Sequence, residues 1–204
     1  MEPTQTATQQ RGPRVRVKLQ VMKAARALLM EGGYTAFSMD ALAREAGVSK
    51  ATVYRWWKNR ADVAMDVLLE VAGPDTAYVL DDDSPLANLR HHIEVAADFL
   101  GGTDGAMLAG IVADAQRDEA LNETFRHRYL TKRRGLIIGL MRDAQRCAEL
   151  PPDTDVSAMA DMLIAPLYYR LLLGHADIDV GYASMIFDAV TAAPPNRGGS
   201  RRTR

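Results

Sequence analysis

Cysteine is nearly missing from this sequence. Cys147 stands alone among 204 residues, which excludes an intramolecular disulfide framework and a cysteine zinc site and suits a reducing cytoplasm. No uninterrupted apolar run approaches the roughly 18–20 residues that span a bilayer. The polar opening MEPTQTATQQRGPR holds no apolar signal segment. These absences predict a cytoplasmic protein without a membrane partner. No GxSxG elbow, P-loop, dinucleotide glycine fingerprint or HExxH pair occurs. No local spacing groups the Ser, His and Asp residues into a site, so no enzymatic activity and no cofactor are expected. His91-His92, His127 and His175 make no metal site, because adjacent His91 and His92 point in different directions on a helix.

Long β-branched runs are lacking as well, while Leu, Ala and Met are plentiful. That balance predicts an all-α chain. Apolar residues make up 48% of it, enough to bury a real core. Residues 1–13 read as a disordered arm. From Val15 onward Val17, Val21, Ala24, Ala25, Leu28 and Leu29 recur at helical spacing, and Gly32-Gly33 ends that helix. Ser38 caps a short second helix, Gly47 stops it, and Ser49 caps a third reaching about Trp57. Asn59 caps a fourth, with Asp62 three residues on.

An acidic stretch, Asp81-Asp82-Asp83, follows the Gly73-Pro74 break. Ser84-Pro85 then opens a helix as cap and first residue, and Gly101-Gly102 closes it. Further helices are expected over Asp104–Arg117, from Glu119 to Pro151-Pro152, over Asp155–Leu173 with a kink at Pro166, and over Asp179–Ala192. The expected organisation is an arm at 1–13, a DNA-binding domain at 14–60, a regulatory and dimerisation domain at 61–193, and a flexible basic tail at 194–204.

A net charge of −1 conceals an asymmetry. Residues 1–60 hold eleven Lys or Arg against four Asp or Glu, a net +7, whereas the remainder holds fourteen against twenty-two, a net −8. A basic head on an acidic body suggests that the head alone meets a polyanion. Within it lies EAGVSKATVYRWWKNRADV, residues 45–63, where Tyr54, Trp56 and Trp57 sit among Lys50, Arg55, Lys58 and Arg60. Two short helices around a glycine turn make a helix-turn-helix. Val53 and Trp57, four residues apart, share the inward face. Lys50, Ala51, Tyr54 and Arg55 take the other face, which suits a major groove.

With Ser38, Ala43, Ala46-Gly47-Val48-Ser49, Thr52, Tyr54 and Lys58 in register, residues 15–63 resemble the DNA-binding domain of the TetR family of bacterial transcriptional regulators. Trp56-Trp57 departs from it, since many members carry a smaller, His or Tyr residue followed by Phe. The resemblance implies that Ser49, Lys50, Ala51, Thr52 and Arg55 approach base edges, while Tyr54, Lys58 and Ser38 grip phosphates. Arg16, with Arg14 and Lys18, would brace the backbone or enter the minor groove.

The resemblance also implies a homodimer on a palindromic double-stranded operator, and a repressor released by a small apolar or amphipathic effector. Met107, Ile111, Phe125, Tyr129, Leu140, Met162, Tyr168 and Tyr169 are candidate pocket residues. Met159, Leu163, Leu167, Leu171, Met185, Ile186 and Val190 are candidate dimer contacts. Plain intramolecular core is the alternative role for both sets. The competing functional reading is a DNA-binding dimer with no small-molecule effector, regulated by abundance or by a protein partner.

Overall fold

Pro13 opens α1 (Pro13–Ala36), and Val21, Ala25 and Leu29 bury one face of it at helical spacing. The computed structural model describes residues 13–73 and 84–192. The rest of the expected arm, the Asp81-Asp82-Asp83 stretch and the basic tail lie outside those residues. Among the described residues all regular structure is helical. The chain divides in sequence into two compact units between Val67 and Leu68.

In the first unit, α1 bends at Gly33, whose φ of 64° is left-handed. One further turn follows and buries Tyr34 and Phe37. Ser38 caps α2 (Met39–Glu45), its hydroxyl accepting from Ala41 N at 3.1 Å. The turn then rests on Gly47, at φ 63°, a conformation costly for any residue with a Cβ. Val48 N donates back to Ala43 O at 3.0 Å, closing the end of α2. Gln20 clamps the same turn by donating to Ala46 O at 2.7 Å. Ser49 caps α3, which covers only Lys50–Tyr54 rather than reaching Trp57. Past Tyr54 the amide of Trp56 bonds three residues back, to Val53 O, so the coil tightens and swings Trp57 inward. α4 (Arg60–Val71) starts at Asn59, whose side-chain Oδ1 accepts from Asp62 N at 2.9 Å. It runs past the division after Val67.

The second unit is arranged around α5 (Pro85–Gly101), which packs on α6 (Thr103–Ala115), α8 (Thr131–Arg146), α9 (Val156–Leu173) and α10 (Val180–Thr191). Leu89, Ile93 and Ala97 of α5 are fully buried against a core that includes Leu108, Met141, Leu163 and Ala183. Ser84 and Pro85 start α5 as the sequence predicts. The helix expected from Glu119 to the prolines differs in two ways. A π-helical turn, Arg126–Leu130, separates α7 (Glu119–Phe125) from α8. Helix α8 ends at Arg146, before Pro151-Pro152, because Ala148 turns left-handed at φ 60°. Glu149 N and Leu150 N then fold back onto Ala144 O, burying Leu150.

Helix α9 runs through Pro166 and ends at left-handed Gly174. Its 18 residues have a mean hydropathy of 1.3, enough by length and composition to cross a membrane. The sequence hides this because Asp161 and Arg170 interrupt the apolar run. Only 28% of that window is buried, so much of the helix presents an uncovered apolar surface.

Candidate nucleic-acid interface and an internal cavity

Third-helix geometry separates the aromatic cluster as its spacing predicts. Trp57 is 3% exposed and Val53 is fully buried, whereas Tyr54 is 53% exposed. The buried indole is anchored: Trp57 Nε1 donates to Asp66 Oδ2 at 2.8 Å. The Lys18 ammonium stands 3.8 Å from that oxygen and 5.7 Å from the ring centre. This network ties α1 and α4 to the segment after α3. Trp56 is half-buried, edge-on to Trp57, with the Arg55 guanidinium 4.9 Å over its ring. Stacking of this kind preorganises an arginine.

Ser38, Ser49, Lys50, Ala51, Tyr54, Arg55 and Lys58 are all exposed, and Thr52 is half-exposed. They cluster on the α2–α3 segment. Arg16 is exposed on α1. The two cap hydroxyls are engaged locally, Ser49 Oγ accepting from Thr52 N and sitting 2.9 Å from its hydroxyl. Sequence reasoning missed the partner of Lys50. Its ammonium lies 2.7 Å from Asp40 Oδ1, both side chains being more than half exposed. An exposed pair of this kind contributes little to stability, so a phosphate can replace the carboxylate.

The second unit contains a cavity of about 80 Å³, room for several water molecules. Phe99, Ile137, Ala160 and Ile164 give it an apolar wall, and His92, Arg133, Arg134 and Asp161 supply charge or polarity. Of the eight expected pocket residues it brings together two, Tyr129 and Tyr168. Burial pushes the Tyr168 phenol well above its ordinary value. The charge of Tyr129 and a hydrogen bond to it act in the same direction, while Arg133 opposes. Arg134 is committed to Asp161, with Nε at 2.8 Å and Nη2 at 3.2 Å, and to the Ser157 hydroxyl at 2.7 Å. The bond from Arg134 holds the Asp161 carboxyl below its usual range.

The other expected pocket residues lie elsewhere. Met107, Ile111, Phe125 and Leu140 are buried away from the cavity lining. Met162 and Tyr169 are 50% and 59% exposed, on the outer face of α9. The candidate dimer residues divide similarly. Met159, Leu163, Leu167 and Ile186 are buried within the protomer, Leu171 and Val190 are half-buried, and Met185 is exposed. The residues missed on that outer surface are Leu172 and Leu173. A helix apolar around most of its circumference does not disclose its rotation, so the sequence left open which of these residues face inward. A usable signal for the cavity did exist: Tyr129, Arg133 and Ile137 are spaced four apart, which places an arginine in an apolar stripe.

Residues 21–67 match the model of bacterial regulatory proteins of the tetR family, and residues 79–190 match a tetracyclin repressor-like C-terminal domain. The chain is 34% identical to the uncharacterized HTH-type transcriptional regulator YdeS of Bacillus subtilis over 162 residues, 79% of this chain and 81% of that one. The crystal structure of the TetR family transcription regulator SCO0332 is 26% identical with a TM-score of 0.69, covering 88% of this chain and 100% of that one. The regulator FadR from Bacillus subtilis, solved in complex with stearoyl-CoA, shares the fold with a TM-score of 0.70 at 16% identity, covering 86% and 98%.

Proposed function

Because the chain belongs to the TetR family and is therefore a DNA-binding transcriptional regulator, we propose that it is a cytoplasmic homodimeric repressor, released from a palindromic operator by a small effector. The observation that carries the DNA part is the division of α3 and its sequel: Trp57 locks one side into the core while Lys50, Ala51, Tyr54 and Arg55 stand outward. Ser49, Lys50, Ala51 and Thr52 begin the recognition helix and meet base edges; Arg55 is positioned to reach a guanine. Tyr54, Lys58, Ser38 and Arg16 hold phosphates.

Replacing Lys58 by Ala is expected to weaken binding to every duplex alike and to reduce the salt slope by about one counterion. Titrations at several salt concentrations measure this, and an unchanged slope removes Lys58 from the contacts. Replacing Asp40 by Asn is expected to tighten DNA binding about two- to five-fold near 0.15 M salt, the modest scale of one exposed, screened charge. The carboxylate both holds Lys50 and repels phosphate. Equal or weaker binding by a folded Asp40→Asn protein contradicts that placement.

Dimerisation is assigned to the outer faces of α9 and α10, where Met162, Tyr169, Leu172, Leu173 and Met185 are left uncovered by the protomer. Apolar surface of this extent calls for a partner. Two-fold pairing sets the recognition helices about 34 Å apart, one turn of DNA. The cavity favours an effector over regulation by abundance alone, and a protein of the same fold holds stearoyl-CoA. The effector must bind the DNA-competent and released states with different affinity. Operator titrations with and without a bound effector test this; unchanged operator affinity at saturation contradicts release.

A further inference from the structure

Among the described residues, the cavity wall carries two guanidiniums, Arg133 and Arg134, and one carboxylate, Asp161, with the His92 imidazole beside them. Arg134 and Asp161 satisfy one another. Arg133 does something different. Its Nη2 donates to Ala72 O at 3.0 Å and to Gly73 O at 2.8 Å, the carbonyls immediately beyond α4. Its guanidinium also stands 5.6 Å from the centre of the Tyr129 ring. One side chain thus lines the cavity and holds the end of the helix through which the chain leaves the DNA-binding unit.

We propose that the cavity takes a compact, mainly apolar carboxylic acid, and that the acid's carboxylate draws Arg133 away from the end of α4. The inference rests on the effector-responsive reading above and names its ligand class and its first step. A guanidinium receives a carboxylate bidentately through Nε with Nη2 or through Nη1 with Nη2, and both forks use the nitrogen that holds the two carbonyls. A guanidinium–carboxylate pair adds ionic attraction that its bonds to the neutral carbonyls of Ala72 and Gly73 lack, and this attraction strengthens where water is excluded. Tyr129 and Tyr168, which share a hydrogen bond, line the same wall. At about 80 Å³ the cavity is smaller than a benzoate or a hexanoate, so either acid must widen it as it enters.

The last turn of α4 is where the consequence appears. Ala72 N bonds Leu68 O at 2.9 Å and Gly73 N bonds Glu70 O at 3.4 Å. Loss of Arg133 from the adjacent carbonyls frays this turn and raises amide exchange over residues 68–73.

The test uses the full chain and matched probes: benzoate, benzyl alcohol and benzylamine, with hexanoate and hexanol as an aliphatic pair. Binding is measured by calorimetry and the turn is followed by hydrogen exchange. At least one acid is expected to bind about tenfold or more tightly than its alcohol and amine, the scale of one charge-assisted contact, and to raise exchange at residues 68–73. Arg133→Met should bind acid and alcohol alike, with exchange there already high. Arg133→Lys should keep part of the acid preference while losing the protection of α4.

Acids that bind no better than their alcohols overturn the ligand class. Acid binding that leaves exchange at residues 68–73 unchanged overturns the role of Arg133. Both results come from the unaltered chain, so a variant that fails to fold does not blunt the test. Operator selection by the ligand-free protein is read separately, and its absence counts against the regulator reading instead.

Discussion

Replacing Trp57 by Ala should destabilise the DNA-binding unit by about 3–5 kcal/mol, the range for emptying a large buried aromatic site. The effect has two sources. The indole is 3% exposed, so its removal leaves a cavity between α1, α3 and α4. It also removes one of the donors to Asp66, the indole N–H at 2.8 Å. Urea denaturation followed by the fluorescence of Trp56, the remaining tryptophan, measures the loss, and operator binding should vanish with the fold. Trp57→Phe preserves most of the volume but not the donor and is expected to lose about 1–2 kcal/mol. A Trp57→Ala protein of unchanged stability contradicts the core assignment.

The second large effect is expected on the outer face of α9. A Tyr169→Asp, Leu173→Asp double variant puts two carboxylates on the face proposed to bury apolar surface between subunits. These side chains are 59% and 60% exposed in the protomer, so the fold should survive. The mass in solution should fall to that of one chain. Operator affinity should drop by about 100-fold or more, because the two heads no longer raise each other's effective concentration. Sedimentation and operator titration check the two consequences together. A folded double variant that stays dimeric moves the interface elsewhere.

Helix caps and the two-sided recognition segment were legible in the sequence for a common reason: each depends on residues within a few positions of one another. Ser38, Ser49, Asn59 and Ser84 each accept the backbone amide three residues ahead. Trp57 follows Val53, four residues back, into the core, whereas Tyr54, the residue after Val53, is turned about 100° around the helix and stays outside. The division of labour in the C-terminal unit was far less legible. Met162 and Tyr169 read as pocket residues yet face outward, while Leu163 and Leu167 read as dimer contacts yet fill the core. Their difference is a rotation of α9, set by α5, α8 and α10 together. Arg133 was missed because its partners, Ala72 and Gly73, lie some sixty residues away. Lys50 likewise looked available to DNA because its pairing with Asp40 requires the turn at Gly47 to be closed.

Selection of the purified chain on a random duplex library near physiological salt, with the recovered complex weighed, tests the central claim most directly. The account predicts enrichment of a palindrome whose half-site centres are about one helical turn apart, bound by an even number of subunits. Folded, ligand-free protein that enriches no sequence would contradict it.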